Sequence, residues 1–96
     1  MDKKYEECSR MMKALGDDTR IRIFDMLSED ELCACKILEE FSITQPTLSY
    51  HMKILCDSGL VAGRKDGVWM KYSVNKENLH CLGEFLDKGG LRNDNI

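Results

Sequence analysis

Apolar side chains recur at helical spacing along most of the chain. Between Lys3 and Leu15, the residues Tyr5, Cys8, Met12 and Leu15 fall at i, i+3, i+7 and i+10, predicting an amphipathic helix that Gly16 ends. Asp17 or Asp18 caps a second helix, whose Ile21, Ile23, Phe24 and Leu27 span an arc wide enough to predict a central, buried element. Ser28-Glu29-Asp30-Glu31 reads as a capping box for a third helix that buries Ala34, Ile37, Leu38 and Phe41. A short Ser42-Ile43 turn leads to a fourth helix, capped by Thr44 and closed by Asp57-Ser58-Gly59. From Leu60 to Val74 the period changes to two: Val68, Met70, Tyr72 and Val74 alternate with Trp69, Lys71 and Ser73, and Asp66-Gly67 predicts a two-residue hairpin turn. Asn75 caps a last helix bearing Leu79, Leu82, Phe85 and Leu86, expected to stop at Gly89-Gly90.

The fourth helix has an unusual outer face. Leu48, Met52 and Leu55 share one flank, while Pro46, Thr47, Tyr50 and Lys53 occupy the other, with Gln45, Ser49 and His51 on its edges. An ordinary solvated helix would be crowded with Glu and Lys. Short hydroxyls, an amide, a ring and one cation suit base edges and phosphates instead. Base contact is expected from Gln45, Thr47, Tyr50 and His51, and phosphate contact from Ser49, Lys53 and the hairpin residues Arg64, Lys65 and Lys71. Two helices joined by a tight turn and followed by a basic hairpin predict a winged helix-turn-helix, mainly α, in the order α-α-α-α-β-β-α. The domain spans 1–90, and 91–96 form a frayed tail.

Composition sharpens this picture. Ninety-six residues with 43% hydrophobic content make one small domain, with no membrane-crossing run and no signal peptide in Met1-Asp2-Lys3-Lys4-Tyr5-Glu6-Glu7. The net charge of −3 argues against a nucleic-acid partner until it is resolved by region. Residues 1–41 carry 7 basic and 11 acidic side chains, residues 42–74 carry 4 and 2, and residues 75–96 carry 3 and 4. The positive segment is the one nominated above. A chain this short covers little of its apolar surface, so the stripes on the first and last helices predict a homodimer presenting two reading helices about one DNA turn apart.

Five cysteines, an odd count, suit reduced thiols in the cytoplasm better than a disulfide framework. Cys33 and Cys35 lie two apart. On a regular helix they diverge by about 200°, whereas in extended backbone they share a side and can chelate one soft ion. Chelation is therefore expected to compete with winding the third helix's first turn. The bland alternative makes Cys35 a small core residue, and Cys8, Cys56 and Cys81 each read better as packing than as chemistry. His80 and Glu84, one turn apart, fit a solvated role better than a metal site. No His or Lys other than Lys36 adjoins the pair in sequence, and no substrate pocket is signalled, so an enzyme is not expected.

With these residues in view, the chain from about Lys13 to Leu86 resembles the ArsR/SmtB family of metal-responsive winged-helix repressors. Ala14-Leu15-Gly16-Asp17-Asp18-Thr19-Arg20-Ile21-Arg22-Ile23 is similar to that family's entry into the second helix. The run from Thr44 to Leu55 resembles its reading-helix signature, and Leu60-Val61 through Tyr72 its wing. Glu31-Leu32-Cys33-Ala34-Cys35 resembles the motif of the arsenic-sensing branch, which implies Cys33 and Cys35 as ligands for As(III) or Sb(III) and release of operator DNA on binding. That branch often has a third cysteine where this chain has Leu38, which leaves a further donor open among Cys8, Cys56 and Cys81. A Cys8 donor would resemble the branch that senses Cd(II) and Pb(II). The expected function is an arsenic- or antimony-responsive repressor of double-stranded operator DNA, the alternative being one that answers Cd(II), Pb(II) or thiol oxidation.

Overall fold

The computed structural model describes residues 2–94, with side chains through residue 88. The elements run α1 (Lys3–Leu15), α2 (Asp18–Leu27), β1 (Leu32–Cys33), α3 (Ala34–Glu39), α4 (Gln45–Asp57), β2 (Val61–Asp66), β3 (Trp69–Val74) and α5 (Lys76–Asp94). The helix starts follow local chemistry. Asp17 Oδ2 accepts the Arg20 amide at 3.1 Å, Thr44 Oγ1 accepts the Thr47 amide at 3.3 Å, and Asn75 Oδ1 accepts the Asn78 amide at 3.0 Å. Pro46 stands in the first turn of α4, where a missing amide proton costs little. Gly59, at φ 88°, turns the chain out of α4 in the left-handed region that glycine tolerates.

The core gathers on α4. Leu48, Met52 and Leu55 are buried among Ile23 and Leu27 of α2, Cys8, Met11 and Ala14 of α1, Ile37 of α3, and Leu60, Val61 and Leu82. Each buried Leu, Ile, Val or Met side chain among them contributes about 1.5–3 kcal/mol by leaving water. The buried face of α1 is rotated from the predicted one: Met11 and Ala14 point inward, while Tyr5 and Met12 are exposed. Nor is α2 the enclosed element expected, because Ile21 is 45% exposed. Its wide apolar arc covers more than one neighbour can bury, and α4 takes the central place.

Three further departures concern boundaries. Residues 28–31 do not open α3. The chain instead enters β1, a two-residue strand pairing antiparallel with β3 (Leu32↔Tyr72, Cys33↔Lys71), so the sheet has the order β1-β3-β2. Ladder bonds to β3 satisfy backbone groups that a longer helix would have used. The hairpin loop is Gly67-Val68 rather than Asp66-Gly67, because Asp66 pairs with Trp69. Gly67 at φ 66° supplies a positive φ at the first loop position, as a type II′ turn requires, whereas the predicted turn would have forced Asp66 there as well. Finally, α5 continues through Gly89-Gly90 to Asp94, past the predicted stop and into the predicted tail, of which 95–96 lie outside the described residues. Glycine weakens a helix by about 1 kcal/mol without blocking it, and no proline follows. Among the described residues, no helix is long and apolar enough to cross a membrane.

Candidate DNA-reading face and thiol site

With Leu48, Met52 and Leu55 anchored inward, α4 turns Gln45, Thr47, Ser49, Tyr50 and Lys53 to solvent. Tyr50 is 61% exposed. The Thr44 hydroxyl donates to that of Thr47 at 3.0 Å, and Lys53 Nζ donates to Asp57 Oδ2 at 3.0 Å one turn on. His51 departs from the expected reading role. Its side chain is 13% exposed, and its Nδ1 lies 3.1 Å from Arg20 Nη1. Arginine only donates, so Nδ1 accepts and the neutral ring carries its proton on Nε2. Arg20 Nε also donates to the Ala14 carbonyl at 2.7 Å, and Asp17 Oδ2 stands 4.0 Å from His51 Nδ1. One guanidinium thereby ties the end of α1 and the start of α2 to α4. The Arg20 amide, then the Arg20 charge, hold the Asp17 carboxyl below its usual range.

On the wing, Arg64 grips Glu31 with two parallel bonds, Nη2 to Oε1 at 2.8 Å and Nε to Oε2 at 3.0 Å. This contact lowers the Glu31 carboxyl and raises the Arg64 guanidinium. Lys71 Nζ pairs with Asp66 Oδ2 at 3.0 Å and lowers that carboxyl too. Lys65, at the exposed hairpin end, has no ion pair among the described residues. Register aligns Cys33, Lys71 and Arg64 in one row across the three strands, and directly opposed residues in a sheet point to the same face. On the other face Tyr72 lies against Gly63, where an added Cβ would stand 2.9 Å from the ring and 3.1 Å from Met70 Cε. Burial pushes the Tyr72 hydroxyl up. Met70 and Tyr72 there, with Trp69 at the start of β3, bound a cleft of about 340 Å³ shared with Leu38 of α3 and with Gln45 and Ser49 of α4.

The thiol site corrects two expectations. Cys33 and Cys35 are joined as a disulfide rather than held as free thiols, with Cα atoms 5.3 Å apart. The premise of the conflict expected between chelating an ion and winding a helical turn, that Cys33 is wound into α3, does not hold either. Cys33 is the residue before α3, extended at φ −78° and ψ 155° and held in the β1 ladder, while Cys35 lies in the first turn. The sulfurs meet with the helix intact. Sequence neighbours also hid the charge around the pair: Lys71 lies directly across the ladder from Cys33, with Arg64 beyond it. In reduced form the pair offers a soft ion two sulfurs from one chain. The three other cysteines are dispersed. Cys8 is buried on α1, Cys81 is exposed on α5, and Cys56 is partly covered on α4, where burial and then Asp57 push its thiol up. Among the described residues no three His, Cys, Asp or Glu side chains gather as a metal site. His80 pairs with Glu84 at 2.9 Å on the surface of α5.

Arg20 and Glu31 are the residues whose contacts sequence reasoning missed. Their partners lie 31 and 33 positions away or depend on a two-residue strand, and local periodicity carries no trace of either.

A helical core, a helix-turn-helix with a polar outer face and a basic hairpin define a winged-helix DNA-binding regulator. The chain belongs to the ArsR family: residues 17–62 match the family described as "Bacterial regulatory protein, arsR family". It is 48% identical over 83 residues to the arsenical resistance operon repressor of Staphylococcus xylosus, covering 86% of this chain and 80% of that one. The fold is that of an ArsR family transcriptional regulator of known crystal structure (TM-score 0.85, 22% identity, 95% of this chain and 94% of that one). It also matches a homodimeric winged helix-turn-helix domain from Mycobacterium bovis (TM-score 0.73, 20% identity, 96% and 86%). The chain is therefore a transcriptional regulator and not an enzyme.

Proposed function

We propose that this chain is a cytoplasmic, dimeric repressor that holds operator DNA while Cys33 and Cys35 are free thiols and releases it when As(III) or Sb(III) binds both. The observation that carries the reading is the ladder pairing of Cys33 with Lys71, which sets the thiols beside the wing. The reading gains from the Staphylococcus xylosus relative, an arsenical resistance operon repressor, and a dimer from the homodimeric Mycobacterium bovis domain. Gln45, Thr47, Ser49, Tyr50 and Lys53 on α4, with Arg64, Lys65 and Lys71 on the wing, are the residues assigned to DNA. Arsenous acid condenses with two thiols and sheds water, so the disulfide must first be reduced. The test is a gel-shift titration of pre-reduced protein on DNA from upstream of its own gene. Arsenite should release the DNA from wild type and leave the Cys33→Ser/Cys35→Ser complex in place. A wild-type complex unmoved at saturating arsenite ends the reading.

The observed disulfide favours a second reading, in which oxidation of the same pair is the signal. Diamide then releases DNA where arsenite and cadmium do not.

A further inference from the structure

We propose that Glu31 is a built-in rival of the DNA phosphate at Arg64, and that the state of the Cys33–Cys35 pair reaches DNA by setting this rivalry. The inference rests on the thiol-responsive reading above and concerns how that response is transmitted. An arginine fork fits a carboxylate and a phosphate equally well, because both offer two oxygens in its plane. In the DNA-free chain the fork is already filled by Glu31, at 2.8 and 3.0 Å. A phosphate can engage Arg64 in this way only by displacing that carboxylate. Both side chains are solvent-accessible, so the displacement is cheap enough for DNA to achieve and large enough to measure.

The position of this contact is what ties it to the thiols. Three of the cations assigned to phosphate are engaged in ion pairs, and two of those pairs are internal to their own element: Lys53–Asp57 within α4, and Lys71–Asp66 within the hairpin. Arg64–Glu31 joins the wing to the segment that carries the cysteines, across 33 residues of sequence. Glu31 immediately precedes β1, and Cys33 is the second and last residue of that strand. A strand of two residues has little ladder of its own to resist a pull at Cys33. Closing a ring through both sulfurs, directly or around an arsenic atom, fixes Cys33 against α3, and with it the point from which Glu31 reaches out. In the structure a bridged pair coincides with a fully engaged Glu31–Arg64 contact. The bridged form is thus the form in which Arg64 is withheld from DNA, and opening the bridge loosens that hold.

The experiment measures DNA affinity by fluorescence anisotropy over a series of salt concentrations. The full chain is used after phosphine reduction, and again after arsenite or diamide treatment. Glu31→Gln should tighten binding by the bridged protein about two- to fivefold, the range for an exposed ion pair. It should steepen the slope of log affinity against log salt by about one unit, the mark of one added phosphate contact. It should also shrink the drop in affinity that arsenite or diamide causes. In an Arg64→Gln background the Glu31→Gln change should have no effect. If it still tightens binding there, the effect is general charge removal and the proposal falls. A responsive wild type with an equally responsive Glu31→Gln protein removes the transmission route alone. A wild type that neither reagent moves removes the thiol reading and the route together.

Discussion

His51 sits at the edge of α4 with its Nδ1 3.1 Å from the Arg20 guanidinium, and that bond sets how α4 meets the start of α2. We propose that His51 positions the helix rather than reads a base. His51→Ala should therefore lower the thermal midpoint and weaken DNA binding about equally across operator variants. Tyr50→Ala, on the exposed face, should instead change the ranking of those variants in competition binding. Asp17 belongs to the same cluster, and its carboxyl is depressed below 3.8 chiefly by the Arg20 amide. A depressed carboxylate adds stability that is complete above its unfolded value and disappears as pH falls through the folded one. The gap in urea midpoint between wild type and Asp17→Ala should thus be full at neutral pH and close in acid, below about 3.8. A gap that widened in acid would contradict this account. At this scale the sequence announces Cys33, Cys35 and the outward residues of α4, because type and spacing suffice for them. It misplaces Glu31, which looks like a helix-capping acid until the fold brings Arg64 to it.

Among the elements, the wing depends on Gly63 as much as on its turn. The Tyr72 ring occupies the space a side chain at 63 would need, 2.9 Å from an added Cβ. Gly63→Val should cost about 1–3 kcal/mol through overpacking. It should also weaken DNA binding, because the ring it displaces borders the cleft between wing and α4. Urea unfolding and anisotropy read the two effects separately. Helix starts at Asp17, Thr44 and Asn75 were legible, since a capping side chain and its target amide lie within one turn. Strand β1 was not. Two residues carry no periodicity, and their only reason to be extended is a partner some forty positions on. The same gap explains the false conflict at the thiols, which assumed that Cys33 was wound into α3.

For the whole molecule, the predicted order of helices and hairpin stands with β1 inserted, because long amphipathic segments and a turn glycine are strong signals. Which helix lies at the centre was less legible: α2 has the broader apolar arc, yet α4 holds the core. The apolar residues left outside, among them Tyr5, Met12 and Leu86 on the first and last helices and Ile21 on α2, are consistent with a second copy covering part of this surface. The alignment of Cys33, Lys71 and Arg64 across three strands has a consequence for such a pair of subunits. In the proposed function, sensor and grip belong to one polypeptide and share one row of the sheet, so no message has to cross to the twin. On the proposed thiol reading each half answers its ion on its own account, and transcription should then climb in proportion to dose rather than snap on at a threshold.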